Sequence, residues 1–354
     1  MSSRKIVFIL GAGASKEANL PTGYELKSKI AHLLDIRFES MGKMVSGDYT
    51  IYQAFQRVAR ESPENTDEKN PNVYIQAGWR IRDAMPQALS IDNFIDQHIG
   101  DKRIELAGKL AIVSSILKAE QNSSLHFDRT RGANRLDVTK MEKTWFNSFF
   151  QLLVQNCKID QLEDRLTSVV VINFNYDRCV EHYLFHGLQN YYAITPDAAA
   201  KLVGKISIFH PYGTVGSLPW QSSDLEIDFG AEPNSEQLLR LVPRIKTFTE
   251  GTDPSSSSIA GIRESMRTFN LLVGLGFAFH DLNLQLLQPN TSPARKPEEM
   301  KVYATGKGIS PSDCEAIRDD LVALLGVQPS VLQDAHELTC RQLFDANWRR
   351  LIVN

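Results

Sequence analysis

The sequence is short of cysteine and has no pair of cysteines close together. Its four, Cys157, Cys179, Cys314 and Cys340, form no CxxC element, which excludes a zinc knuckle, and with no secretory signal ahead of them the expected compartment is a reducing cytoplasm. Long hydrophobic runs are missing as well. The apolar stretch Ile6–Leu10 is too short for a signal-peptide core or a membrane span, so no membrane partner is expected. Charge is nearly balanced, at −3, and gives no global attraction to nucleic acid. Among the eight histidines there is no HExxH and no zinc-ligand spacing; His182 and His186 read as the surface of a helix. No internal repeat is visible. What remains is the composition of a soluble globular chain, 42% hydrophobic and 23% charged, with enough residues for one large or two moderate domains.

The strongest positive signal is a set of short β-branched runs. Ile6–Leu10 is continuous and apolar, as a strand buried on both faces requires. Ser168–Ile172, Lys205–Phe209, Phe269–Val273 and Met300–Ala304 repeat the pattern, with helical spacing between them, notably over Cys179–Leu188 and Cys314–Leu325. Strands alternating with helices predict an α/β fold, a Rossmann-like parallel sheet with flanking helices. Residues 39–159 read as a mostly helical insertion or cap, with polar loops at 61–72 and 120–135. The sheet domain is expected over 1–38 and 160–354. Gly251–Ser258 reads as a flexible surface loop.

In an open parallel sheet, ligands bind at the carboxyl ends of the strands, and four ends carry unusual residues. Gly11-Ala-Gly-Ala-Ser15 follows the first run. Its glycines permit close backbone approach to a pyrophosphate, and the following helix start favours negative charge, although Lys16 stands where a third glycine completes a dinucleotide motif. An ordinary strand-to-helix turn accounts for the same residues. Asn173-Phe-Asn-Tyr-Asp177 puts three hydrogen-bonding side chains at alternate positions. They suit a ribose hydroxyl or a water, and Asp177 equally suits a helix cap. His210-Pro-Tyr-Gly213 offers a general base or a structural histidine. Gly274-Leu-Gly276, with Asp281, allows either ligand approach or close packing.

Taken in order, these motifs resemble the sirtuin (silent-information-regulator) superfamily. Gly11–Ser15 and Leu20-Pro-Thr-Gly23 are similar to the family's GAGxS loop and its continuation, and Asn173–Asp177 to its TQNID motif. His210–Gly213 falls at the catalytic His-Gly pair, and Gly274–Gly276 at the late adenosine-ribose loop. The likeness covers roughly residues 5–35 and 165–310. The family's four-cysteine zinc module is missing. The Asn173–Asp177 form and Ile91-Asp-Asn-Phe94 look more like bacterial sirtuin-like proteins of antiphage defence. In a strict alignment on His-Gly, Tyr212 takes the histidine's position and His210 sits two residues earlier, pointing the same way along an extended segment.

The resemblance implies an NAD hydrolase, releasing ADP-ribose and nicotinamide and acting in defence by NAD depletion inside an oligomeric assembly, with a HerA-type ATPase as partner (the Nezha type). It implies Asn175 and His210 as catalytic residues. It places Gly11, Ala12, Gly13, Ser15, Thr22, Asp177, Tyr212, Gly274 and Gly276 around NAD, which is substrate, with no metal. The alternatives are a catalytically weak NAD- or ADP-ribose-binding regulator of the ATPase, and a protein deacylase or ADP-ribosyltransferase.

Overall fold

The computed structural model describes residues 4–352 except 41, 129–134, 252–256, 292, 327 and 330. Six parallel strands form one sheet: β1 (Ile6–Leu10), β2 (Val169–Asn173), β3 (Ser207–Phe209), β4 (Leu271–Leu275), β5 (Lys301–Gly306) and β6 (Val331–His336). Their order is β3-β2-β1-β4-β5-β6. The chain therefore winds outward from β1 on one side, then crosses to the other side at β4, which is the doubly wound pattern of a Rossmann-like fold. β1, β2 and β4 are buried at every residue, which is why each reads as an unbroken apolar run. β1 falls where expected, β2 to β5 differ from the expected strands by one or two residues, and β6, which mixes apolar and polar residues, is an addition.

Register aligns the strand ends. Leu10 pairs with Asn173 on one side and with Leu275 on the other, and Ile172 pairs with Phe209. Gly11, Phe174, His210 and Gly276, the residues that follow, thus leave the sheet along one edge. A residue-level alternation of helices and strands has therefore gathered three of the four singled-out motifs beside the first.

The chain divides into two compact units, a sheet unit of residues 1–19, 124–211 and 252–354, and a helical unit of residues 20–123 and 212–251. The expected division is 1–38 with 160–354 against 39–159. Residues 124–159 belong with the sheet because helix Trp145–Val154 packs its aromatic face there. Phe149 meets Phe8 of β1 edge-on at 4.8 Å, and Trp145 Nε1 donates to the Ala14 carbonyl at 2.8 Å. Residues 212–251 belong with the helices because their polar groups are satisfied there. The Gly230 amide donates to Glu120 Oε2 at 3.0 Å, and buried Lys109 donates to Glu250 at 2.9 Å. Both partners stand on helix Lys102–Gln121, the longest of the helical unit.

The polar stretches expected as loops are partly ordered. Helix Tyr49–Glu61 ends where the first begins, and a short 3-10 turn (Asp67–Lys69) precedes helix Asn72–Ala84. The expected serine-rich loop falls mainly on 252–256, outside the described residues, and helix Ser257–Thr268 starts within its end. No described helix is long and apolar enough to cross a membrane.

Candidate functional site

The glycine turn after β1 is built by contact with the turn after β4. Gly11 and Gly13 donate their amides to the carbonyls of Leu275 and Gly276, each at 3.0 Å. A Cβ on Gly11 would stand 2.5 Å from the Gly276 carbonyl oxygen, and one on Gly276 would stand 2.1 Å from the Ala14 nitrogen. Gly276 also has φ +55°, a left-handed conformation that glycine adopts at least cost. Its amide is held by Thr305 Oγ1 at 2.7 Å. Backbone-to-backbone packing thus accounts for these three glycines, and Gly274 lies within β4 beside Phe279 and Ala304. Only one turn of helix follows, Ala12–Ser15, running into a 3-10 turn over Lys16–Ala18. The longer helix, Gly23–Leu34, carries Leu26, Ile30, Leu33 and Leu34 and starts only after Thr22.

The polar cluster lies beside this turn, at the end of β2. Asn175 is half-buried. Its Nδ2 donates to the Gly11 carbonyl at 3.0 Å and to Ser15 Oγ at 3.1 Å, which uses both amide hydrogens. Its own backbone amide donates to Asn173 Oδ1 at 3.1 Å. Its Oδ1 has no protein partner among the described residues, so the side chain is fixed in place with an acceptor to spare. Ser15 Oγ donates onward to Asp177 Oδ2 at 2.7 Å, while Asp177 Oδ1 accepts from the Cys179 amide at 3.1 Å. Asp177 therefore braces the glycine turn and also holds the first amide of helix Cys179–Tyr192. The buried Asn173 spends its Oδ1 on the loop, and its Nδ2 has no hydrogen-bond partner among the described residues.

His210 is placed against the back of this cluster. Its side chain is 11% exposed, with Nδ1 at 3.1 Å from the Asn175 carbonyl and Nε2 at 2.7 Å from Glu181 Oε1. The Asn175 carbonyl and an ionised Glu181 are both acceptors, so a ring carrying both protons satisfies the two contacts together. Burial alone would lower its pKa, but the Glu181 carboxylate, the hydrogen bonds to Glu181 and Asn175, and the charge of Asp177 together raise it above the ordinary histidine value. A general base needs a free lone pair, and both ring nitrogens of His210 face these two contacts. Glu181 was not legible as a site residue, since an acid beside His182 in a helical stretch reads as solvent-facing; it is in fact buried.

Two expected ligand contacts fall in the helical unit. Thr22 caps helix Gly23–Leu34 in a capping box, accepting from the Glu25 amide while Glu25 Oε2 accepts from the Thr22 amide at 2.8 Å. Tyr212 is buried, and its phenol is pushed up by burial first and then by the carboxylates of Asp92 and Asp96. His182, expected on a helix surface, is buried with Nε2 at 3.2 Å from the Leu125 carbonyl. Its ring faces His186 at 4.6 Å and Phe127 at 5.9 Å. The sheet unit thus brings together Gly11, Ala12, Gly13, Ser15, Asn175, Asp177, His210 and Gly276.

The arrangement can do three things chemically. It offers one oriented amide acceptor, a braced turn, and a histidine against the Asn175 carbonyl. Comparison with known proteins adds no assignment, since no family model and no curated protein matches the chain.

Proposed function

We propose that the chain binds NAD at the carboxyl edge of β1 and β2 and hydrolyses its nicotinamide–ribose bond. The observation that carries this reading is Asn175, whose amide hydrogens are both spent on Gly11 and Ser15 while Oδ1 stays available. Such an oxygen accepts from a ribose hydroxyl or from the attacking water and fixes either in place. Cleavage develops oxocarbenium-like charge on the ribose. The bond from C1′ to nicotinamide breaks with its electron pair leaving on the base, so nicotinamide departs neutral. A water oxygen bonds to C1′, and its surplus proton passes to solvent. No step draws on His210 as a base. The resemblance to defence NADases adds an activating oligomer and an ATPase partner to the proposal.

A second reading is favoured by one feature. His210 has both nitrogens engaged, and Tyr212 stands where the sirtuin pattern has its histidine. These suit a module that binds NAD or ADP-ribose and regulates a partner without turnover.

NAD consumption by the purified chain, alone and with any ATPase encoded beside it, separates the two. Hydrolysis predicts nicotinamide and ADP-ribose in equal amounts, falling by about 100-fold or more in Asn175→Ala. NAD binding in calorimetry without product supports the regulator. Full activity in Asn175→Ala removes the assigned site.

A further inference from the structure

We propose that Glu181, acting through His210, is a positioning residue that makes the NAD site proton-dependent, holding the Asn175 loop in its binding conformation only while His210 carries both ring protons. The inference rests on the NAD reading for its ligand, and on geometry for the switch.

Two acceptors face one imidazole. The Asn175 carbonyl is 3.1 Å from Nδ1 and Glu181 Oε1 is 2.7 Å from Nε2. Two bonds need two protons. With one proton lost, a lone pair must confront an oxygen at one of the two contacts. The charge-assisted contact to a buried carboxylate is the stronger, so the remaining proton stays on the Glu181 side and the bond to the Asn175 carbonyl is the one released. Asn175 then keeps its side-chain bonds and the bond from its amide to Asn173 Oδ1, but loses the tie at its carbonyl.

Glu181 is bound to this arrangement by its own burial. It is 4% exposed, and Oε2 has no hydrogen-bond partner among the described residues. A buried carboxylate with one bonded oxygen requires a nearby cation, and His210 meets that requirement. Glu181 and Asp177 are the charged groups that act on His210, from the helix and from its cap, and both favour the charged ring. The folded-state pKa is therefore raised, so the contribution is fully present below the ordinary histidine value near 6.5 and is lost as pH rises through the raised one.

Two measurements on the full chain test this, one without ligand. The His210 ring nitrogens are followed by NMR between about pH 5.5 and pH 9 in wild type and Glu181→Gln, with His210→Gln identifying the signals. NAD affinity is measured by calorimetry over the same range. The wild-type ring should titrate above free histidine, and Glu181→Gln should move that midpoint down. NAD affinity should fall by about tenfold across the same midpoint and should fall at lower pH in Glu181→Gln. Equal ring midpoints in the two proteins overturn the switch. A shifted ring midpoint with pH-independent NAD affinity also overturns it, since the loop then does not respond. If NAD does not bind at any pH, the NAD reading fails by itself, and the ring titration still decides whether Glu181 holds His210 charged. A merely structural Glu181 would lower melting temperature at every pH and leave the midpoint in place.

Discussion

Ser15 donates to Asp177 at 2.7 Å across 162 positions of sequence, and this bond ties the turn after β1 to the helix cap after β2. Both residues are buried. A hydrogen bond to a buried carboxylate contributes about 1.5–3 kcal/mol, against roughly 1 kcal/mol for a neutral pair. Ser15→Ala also leaves Asn175 Nδ2 without one of its two acceptors. Denaturant unfolding should show Ser15→Ala destabilised by about 2–3 kcal/mol. The double variant with Asp177→Asn should lose less than the sum of the single losses, because the residues share one bond. Strict additivity would show that they do not interact in solution.

The glycines give a sharper contrast. Gly11→Ala and Gly276→Ala each force a methyl into backbone at 2.5 Å and 2.1 Å, where no side chain can yield. The second also meets a left-handed φ. Each should cost several kcal/mol, on the order of the largest single-site effects, and give poorly folded protein by circular dichroism. Gly23 opens helix Gly23–Leu34 and has nothing within 4 Å of a Cβ. Gly23→Ala should be neutral or stabilising by up to about 1 kcal/mol. A normal melting temperature for Gly276→Ala would contradict the interlocked turns.

The sheet and the clustering of its strand ends were legible because burial on both faces writes itself as unbroken apolar runs such as Ile6–Leu10 and Val169–Ile172. The chemistry of the ends was only half legible. Glycines at 11, 13 and 276 look the same whether they face a phosphate or each other, and only packing distinguishes the cases. Glu181 carries no local pattern, since its partner His210 is 29 residues away and reaches it through strand pairing. His182 looked solvent-facing because helical spacing does not reveal how many sides of a helix are covered, and helix Cys179–Tyr192 buries more than one. The attachment of 212–251 to the helical unit rests on long-range polar pairs such as Gly230 with Glu120, which have no signature in spacing.

Thiol reactivity follows from burial. All four cysteines are free and buried, and burial pushes the Cys157 and Cys340 thiols up, away from the reactive thiolate. A thiol reagent in excess should therefore label the native chain slowly at every site. All four should react at once in denaturant. A fast-reacting thiol in the native protein would show that one of these pockets opens.

His182 should weaken the fold in acid. Burial, foremost, and then the nearby charge of His186 hold its pKa well below 6.5, with lesser help from Arg178 and His126 and against the opposing hydrogen bond to the Leu125 carbonyl. Above pH 6.5 the ring is neutral in both folded and unfolded chains and adds no pH dependence. Below it the unfolded chain takes up a proton that the folded chain refuses, so stability falls as pH falls, by at most about 1.4 kcal/mol per pH unit from this group. His182→Gln keeps a donor for the Leu125 carbonyl and removes the titration. Urea unfolding at pH 7 and pH 5 should show a smaller loss in His182→Gln than in wild type. The acid loss has the opposite sign to that of His210, whose stabilisation fades as pH rises. Substituting each histidine should therefore flatten a different limb of the stability–pH curve. Equal acid losses in wild type and His182→Gln would mean that the ring protonates without leaving its place, and that its burial costs the charged form little.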